Sequence, residues 1–302
     1  MLDLNNHAAF QTIKPIHKGW SSDKKYYVET RTNEKLLLRL ADRKEYDQKL
    51  IEFNTMKELS TSGLPISQPV DFGLCDEGRS VYSLFTWCEG EDAETELPKL
   101  TQAKQYELGV TCGKILKKIH SIPAPSGQEN WSTYFNRKID KKMKSYLECG
   151  IRFKEDDKVI AFIEDHRHLL QGRPQSFQHG DYHVGNMIIS PMGNLSIIDF
   201  NRCDYGDPWE EFNRIVFSAA VSPAFAAGQV NGYFNGKPPR QFFSLLVFYI
   251  CSNMLSSIPW AIPFGEQQIA FMKNQANEVL GWFENLVHPV PLWYQEMNSP
   301  FN

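Results

Sequence analysis

His179-Gly180-Asp181-Tyr182-His183-Val184-Gly185-Asn186, followed by Ile198-Asp199-Phe200, sets an acid, an amide and a second acid at spacings that suit phosphoryl transfer. Between them, Asn186-Met187-Ile188-Ile189-Ser190 reads as a strand and Pro191-Met192-Gly193-Asn194 as a tight turn. Leu195-Ser196-Ile197-Ile198-Asp199 then reads as the returning strand of a β-hairpin. With Met192-Gly193 as a two-residue loop, Asn186 stands opposite Asp199. Directly opposed residues of an antiparallel pair lie about 4.5 to 5.5 Å apart at Cα and share a face, so an oxygen from each could meet at one cation. Magnesium takes carboxylate and carbonyl oxygens together with waters and substrate phosphates, so one Asp and one Asn beside a nucleotide are a sufficient contribution from the chain. Asp181, just upstream, is left to act on an acceptor hydroxyl. The competing reading makes all three ordinary Asx turn residues flanking a buried hairpin. His179 suits a hydrogen-bonded buttress for the loop, and neither it nor His183 has a Cys or third His at zinc-ligand spacing.

The 302-residue length allows one large domain or two lobes, and 42% apolar with 13% aromatic residues marks a globular chain with a sizeable core. Lys and Arg number 32 against 36 acids, a formal net charge of −4, so no basic footprint points to nucleic acid. That mild acidity leans toward a cationic small substrate. Six cysteines, Cys75, Cys88, Cys112, Cys149, Cys203 and Cys251, are scattered without a CxxC pair, and the first residues lack a signal pattern. Both features point to a reducing cytoplasm. Apolar runs such as Ser244 to Cys251 fall short of the roughly 20 residues that span a bilayer, so no membrane role is expected. No obligate protein partner is evident.

Strand-like segments open the chain, from Phe10 to Ile16, Lys25 to Thr30 and Lys35 to Leu40, predicting a small antiparallel sheet. A helix is predicted from Arg43 to Ser62, with Tyr46, Leu50, Phe53 and Met56 on its apolar stripe and Gly63 and Pro65 as its stop. Val81 to Trp87 reads as a further strand and Cys88 to Asp92 as an acidic linker. Beyond it the pattern turns helical, at Gln102 to His120, Tyr134 to Glu148 and Asp156 to Leu170, and again after Pro208. The fold class is therefore α+β, with an N-terminal antiparallel sheet lobe over residues 1–88 and a larger, mostly helical lobe over residues 89–302.

Together these features resemble the aminoglycoside phosphotransferase family, small-molecule relatives of the protein kinases, over nearly the whole chain. The His179-Gly180-Asp181 to Asn186 loop and the Ile198-Asp199-Phe200 to Gly206-Asp207-Pro208 stretch carry the likeness. In the kinase signature a catalytic Asp stands five residues before a metal-holding Asn, and another Asp on a later strand holds the same metals. The resemblance implies a two-lobed kinase-like fold with ATP or GTP beside the linker, where Thr86 to Glu89, including Trp87, meets the base through backbone groups. It also implies Asp181 as the catalytic Asp, with Asn186 and Asp199 on magnesium.

Other positions depart from the kinase pattern. His17-Lys18-Gly19-Trp20-Ser21-Ser22-Asp23 occupies the place of the phosphate-covering loop with a single glycine, where Ser21 or Ser22 could reach a phosphate or the segment could be a plain β-turn. Arg39 stands where a kinase has its phosphate-gripping lysine; a guanidinium can hold phosphate bidentately, and the alternative reading has Arg39 merely line a strand edge. Glu45 and Glu52 share a helix face, and Glu52 is the favoured partner for Arg39, although an exposed helical Glu would look the same. Asp71-Phe72-Gly73 spells the kinase metal motif but lies far upstream of the catalytic loop, so Asp199-Phe200-Asn201 is taken as the counterpart. No long activation segment follows, which argues against a protein substrate.

For the acceptor, Asp204, Asp207, Glu210 and Glu211 could offer carboxylates to ammonium groups, or be helix-start acids favoured by the dipole. Trp260, Phe264 and Trp282 read as core rather than substrate wall. Three functions follow: an O-phosphotransferase for an aminoglycoside-type antibiotic, a metabolic kinase for a small alcohol of choline, homoserine or sugar type, and a silent nucleotide binder. The first is preferred, and the three acidic and amide positions weaken the last.

Overall fold

The computed structural model describes residues 9–17 and 23–298. Ser21 and Ser22 fall outside the described residues. In chain order the first elements are β1 (Phe10–Ile16), β2 (Lys24–Thr30), β3 (Lys35–Asp42), α1 (Tyr46–Ser60), β4 (Pro69–Cys75), β5 (Ser80–Thr86), β6 (Glu91–Asp92) and α2 (Ala93–Glu96). Then come α3 (Gln102–Ile119), α4 (Trp131–Glu148), α5 (Asp156–His166), β7 (Ser176–Gln178), β8 (Met187–Ile189), β9 (Leu195–Ile197) and β10 (Asp204–Gly206). Five helices finish the chain: α6 (Ile215–Val221), α7 (Pro223–Phe234), α8 (Arg240–Ala261), α9 (Glu266–Trp282) and α10 (Leu292–Met297). An antiparallel sheet region thus precedes a helical region.

Two compact units emerge, residues 1–93 with 186–201, and residues 94–185 with 202–302. The first division falls a few residues beyond the expected 88/89 boundary, because part of the expected linker is strand β6, which pairs with β8. For the same reason the hairpin belongs with the sheet rather than with the helices.

In the first unit β3 lies at the centre of an antiparallel sheet of order β1-β2-β3-β5-β4. Its alternation explains the two faces. Leu36, Leu38 and Leu40 pack with Val28, Tyr82, Leu84 and Cys75 on one side, and burial of each such leucine is worth about 1.5–3 kcal/mol. Helix α1 covers the other side, where Phe53 meets Phe72 and Phe85 with ring centroids 5.3 and 5.8 Å apart. Arg39 is buried on this second face by the period of two. The buried stripe of α1 is Lys49, Glu52, Met56 and Leu59, rotated from the apolar stripe expected through Tyr46 and Leu50. Charge pairing with Arg39 outweighs hydropathy in orienting this helix. Asp71-Phe72-Gly73 lies within β4, where Asp71 accepts the Tyr82 hydroxyl at 2.9 Å and Phe72 packs on α1.

The hairpin differs from expectation by one residue of register. Met187 pairs with Ile197, Ile188 with Ser196 and Ile189 with Leu195. The loop is Pro191-Met192-Gly193, closed by Ser190 N–H to the Asn194 carbonyl at 2.9 Å, with Gly193 in the left-handed region at φ 77°. A three-residue loop with such a glycine is the next commonest hairpin closure after the two-residue one. Asn186 consequently faces Ile198, whose N–H donates to its carbonyl at 3.0 Å. Asp199 lies one step past the ladder, itself left-handed at φ 66°.

In the second unit α3 and α7 pack with their backbones nearly touching. A Cβ on Gly109 would lie 2.1 Å from the Phe225 carbonyl oxygen, and one on Gly113 2.1 Å from that of Gln229, so neither position admits a side chain without separating the helices. Helix α8 is long and apolar enough to cross a bilayer, contrary to the expectation from its longest apolar run, because its interruptions are uncharged serines and asparagine. Two thirds of its most apolar window is buried inside the protein. Trp131 of α4 donates to the Tyr249 hydroxyl of α8 at 2.9 Å, and Phe135 stacks beside it. The aromatic group expected in the core is not there: Phe264 is 43% exposed, and Trp260 and Trp282 are half-buried, since they sit at the ends of α8 and α9. No disulfide joins any of the six cysteines, all of which lie among the described residues.

Candidate active site

Each unit carries its own cluster of charged groups. In the first, the Arg39 guanidinium donates through Nε and Nη2 to Asp23 Oδ2 at 3.0 and 2.6 Å and through Nη1 to Glu52 Oε1 at 2.9 Å. Lys49 Nζ donates to the same Asp23 oxygen at 2.8 Å and stands 3.6 Å from Glu52. Burial works against charge on Arg39, but the carboxylates of Glu52, Asp199 and Asp23 outweigh it and hold the group firmly protonated. Burial likewise pushes the Asp23 carboxyl up, and Arg39 and Lys49 overcome it, leaving Asp23 below the usual carboxylate range.

At the rim of this network stands Asp199. Lys25 Nζ donates to its Oδ2 at 3.0 Å, and Arg39 Nη1 lies 3.6 Å from its Oδ1. Lys25 and Arg39 are cross-strand partners of β2 and β3, which places two cations side by side against one carboxylate. Asn186 and Asp199 flank one hairpin, their segments tied by the Asn186–Ile198 backbone bond. Among the described residues no group of three His, Cys, Asp or Glu could hold a metal by itself. One carboxylate and one amide fit a magnesium ion that completes its shell with water and phosphate oxygens. Trp87 uses its backbone N–H on the Lys35 carbonyl at 2.9 Å and turns its ring edge-on to Tyr27 at 5.1 Å.

In the second unit the catalytic-loop candidate is braced from below. Glu211, 2% exposed, accepts the backbone N–H of His179 at 2.6 Å and of Gly180 at 2.9 Å, one on each oxygen. His179 is fully buried and its Nδ1 accepts the Asp181 N–H at 3.2 Å. Gly180 is left-handed at φ 83°, and a Cβ there would lie 1.9 Å from the Arg202 carbonyl oxygen, so only glycine permits the turn. The Tyr182 hydroxyl anchors the far side on the Cys112 carbonyl at 2.8 Å.

Asp181 itself is one-fifth exposed and faces two arginines and an imidazole. Arg214 Nε lies 3.2 Å from Oδ1, His183 Nε2 3.6 Å from the same oxygen, and Arg202 Nη1 4.0 Å from Oδ2. Burial alone would raise this carboxyl; the neighbouring His183 side chain and the charges of Arg214 and Arg202 hold it well below the usual carboxylate range.

Two of the four acids expected to face the acceptor turn inward instead. Asp207 is fully buried, gripped bidentately by Arg173 at 2.6 and 2.9 Å and accepting the Tyr249 hydroxyl at 2.7 Å. Glu211 is the brace just described. Burying a carboxylate demands partners, and here the partners are internal. Asp204 is exposed and accepts the N–H of Tyr205 at 2.8 Å, while Glu210 stands 3.7 Å from Lys138.

Asp23, Lys25, Lys49, Arg202 and Arg214 were not singled out from the sequence. Lys49 had a signal, its i,i+3 spacing from Glu52, and Lys25 had another, its place opposite Arg39 once the strands are paired. Arg214 reaches Asp181 from a distant segment, and nothing local announces it.

The model of the phosphotransferase enzyme family, APH, matches residues 12–243. No curated protein sequence matches the chain. Among solved structures, the GDP complex of wild-type aminoglycoside 2'-phosphotransferase-IIIa superposes with a TM-score of 0.67 at 12% identity, over 91% of this chain and 94% of that one. Amicoumacin kinase hAmiN, in complex with AMP-PNP, Ca2+ and amicoumacin, gives 0.64 at 12% identity over 92% and 90%. The gentamicin complex of APH(2'')-IIa gives 0.62 at 14% identity over 89% and 92%. At such identities the likeness is one of fold.

Proposed function

Because the chain belongs to the phosphotransferase enzyme family, we propose that it moves the terminal phosphoryl group of ATP or GTP to a hydroxyl of a small molecule, with Asp181 as the catalytic residue. The observation that carries this reading is Asp199, a carboxylate set against the paired cations Lys25 and Arg39. A metal-binding oxygen beside phosphate-binding cations has little use outside nucleotide chemistry.

In this reading Asn186 and Asp199 hold magnesium, which when bound supplies charge neutralisation to the phosphates. Lys25, whose ammonium is bonded to Asp199 alone among the ion pairs of the described residues, meets the phosphates directly. Arg39 holds the frame, since three of its N–H groups are committed to Asp23 and Glu52. Asp181 orients the acceptor hydroxyl and takes its proton late. A carboxylate held so far toward its ionised form is a weak base, which suits a loose transition state in which positioning and electrostatics carry the barrier reduction. Cysteines without disulfides accord with a working place in a reducing cytoplasm.

An aminoglycoside-type acceptor draws support from the named ligands of the structural neighbours. A metabolic small alcohol is favoured by the inward turn of Asp207 and Glu211, which removes two carboxylates expected to greet a polycation. The test is magnesium-dependent transfer from ATP and GTP to aminoglycosides, macrolides and small alcohols, read by product mass, with Asp181→Ala in parallel. A phosphorylated product lost in the variant supports the assignment; product formed equally by the variant overturns it.

A further inference from the structure

Resting on the reading of Asp181 as the acceptor-side residue, its electrostatic surroundings define the acceptor further. Arg214 and Arg202 flank its carboxylate at 3.2 and 4.0 Å, and Arg202 is 44% exposed. Beyond Arg214 the field continues through Lys142 and Lys138 of α4, with Glu210 the acid among them. Arg202 and Arg214 thus stand at the Asp181 carboxylate, and Lys138 and Lys142 lie beyond Arg214 with Glu210, in a chain whose overall charge is negative. Two of the acids that could have reversed this sign, Asp207 and Glu211, are buried on Arg173 and on the loop backbone, while Asp204 is exposed and accepts the Tyr205 N–H.

Lys142 adds a second observation. Its ammonium lies 3.3 Å from the Ser252 hydroxyl and 5.7 Å from the centre of the Phe135 ring, with no carboxylate in contact among the ion pairs of the described residues. Burial first, then Lys138 and Arg214, pulls it down to about 7. Such a group gains most from an incoming anion, because an anion restores both its charge and its solvation.

We propose that the acceptor is an anionic hydroxy compound, one whose carboxylate, sulfate or phosphate is held by Arg202, Arg214 and Lys142 while its hydroxyl meets Asp181. Guanidinium groups bind such oxyanions bidentately and orient as well as attract them.

The test uses sets of one carbon frame in three charge states: glycerate, glycerol and serinol, and gluconate, sorbitol and glucamine, with kanamycin as the polycation. Transfer from magnesium-ATP by the full-length protein is read by product mass and by kcat/KM. The expected order is anion, neutral, cation, with about tenfold between steps, as charges at contact distance near a surface produce. Arg202→Gln and Lys142→Met should each raise the KM for the anionic member about tenfold, several-fold more than they change that of the neutral member. Equal or better turnover of the cationic members overturns the inference and leaves the phosphotransferase reading standing. So does a variant effect confined to the KM for ATP, which would assign these cations to the nucleotide. No product from any member, with nucleotide binding intact, overturns the phosphotransferase reading and the inference with it.

Discussion

The Arg39 network and the Asp181 loop solve opposite problems with the same residue types. Around Arg39, two cations and two acids are buried together and nearly cancel, and the group that faces chemistry, Asp199, stands at the rim. Around Asp181, the chemical group is the partly exposed one, and the buried charge, Glu211, serves the backbone beneath it. Charge in the first region is spent on holding a frame; charge in the second is gathered at the carboxylate proposed to be catalytic. Removing a member of the first should therefore destabilise the protein, and removing Asp181 should silence it while its stability holds.

The largest effect tests the second half of that contrast. Asp181→Asn should lower kcat about 10³-fold, within the range by which a positioned acid–base group contributes, with nucleotide affinity by calorimetry unchanged within threefold. Retained turnover would remove Asp181 from the mechanism. Asp23→Ala tests the first half. It strips Arg39 and Lys49 of a shared partner in a buried site, where breaking a pair costs about 3–5 kcal/mol, and the loss should appear as a lowered denaturant midpoint. If Asp181→Asn destabilised as much as Asp23→Ala, the distinction between frame and chemistry would fail.

Glu211→Gln sharpens the comparison by mixing its two sides. A carboxamide has one accepting oxygen, so one of the His179 and Gly180 N–H groups loses its partner, at about 1–3 kcal/mol for a buried unsatisfied donor. Stability should fall modestly, and kcat should fall too because Asp181 is carried by the same turn, while nucleotide binding is spared. A loss of stability with kcat intact would make Glu211 purely structural.

How much of this was legible beforehand depended on whether the signal was local. The β3 alternation, the helix boundaries and the Asp181–Asn186 interval are patterns within a few residues, and the fold follows from them. The hairpin register was missed because Met192-Gly193 and Pro191-Met192-Gly193 are equally good turns on paper, and only the Ser190–Asn194 closure decides between them. The orientation of α1 was missed because hydropathy placed Tyr46 and Leu50 inward, whereas the pull of Arg39 on Glu52 and Lys49 is tertiary. Asp207 and Glu211 were read as surface acids for a similar reason: their partners, Arg173, Tyr249 and the loop backbone, come from distant segments. Sequence spacing picked out the proposed catalytic and metal-binding positions and misjudged which acids on the Asp204–Glu211 segment are buried.

The smallest effect separates the two regions by pH. For Lys142 the folded value of about 7 lies below the ordinary lysine range, so between the two the unfolded chain binds the extra proton. Stability then rises with pH across that window, and the burial penalty is present in full below it. Asp23 runs the other way. Its depressed carboxyl contributes stability above the ordinary carboxylate range and loses it as pH falls through the folded value. Lys142→Met should therefore stabilise the protein at pH 6, by less at pH 8 and not at all near pH 10, while leaving the acid limb unchanged; chemical denaturation at the three pH values measures it. A stabilisation independent of pH would mean that the gain is packing against Phe135, and that Lys142 carries no strained charge for an anionic acceptor to relieve.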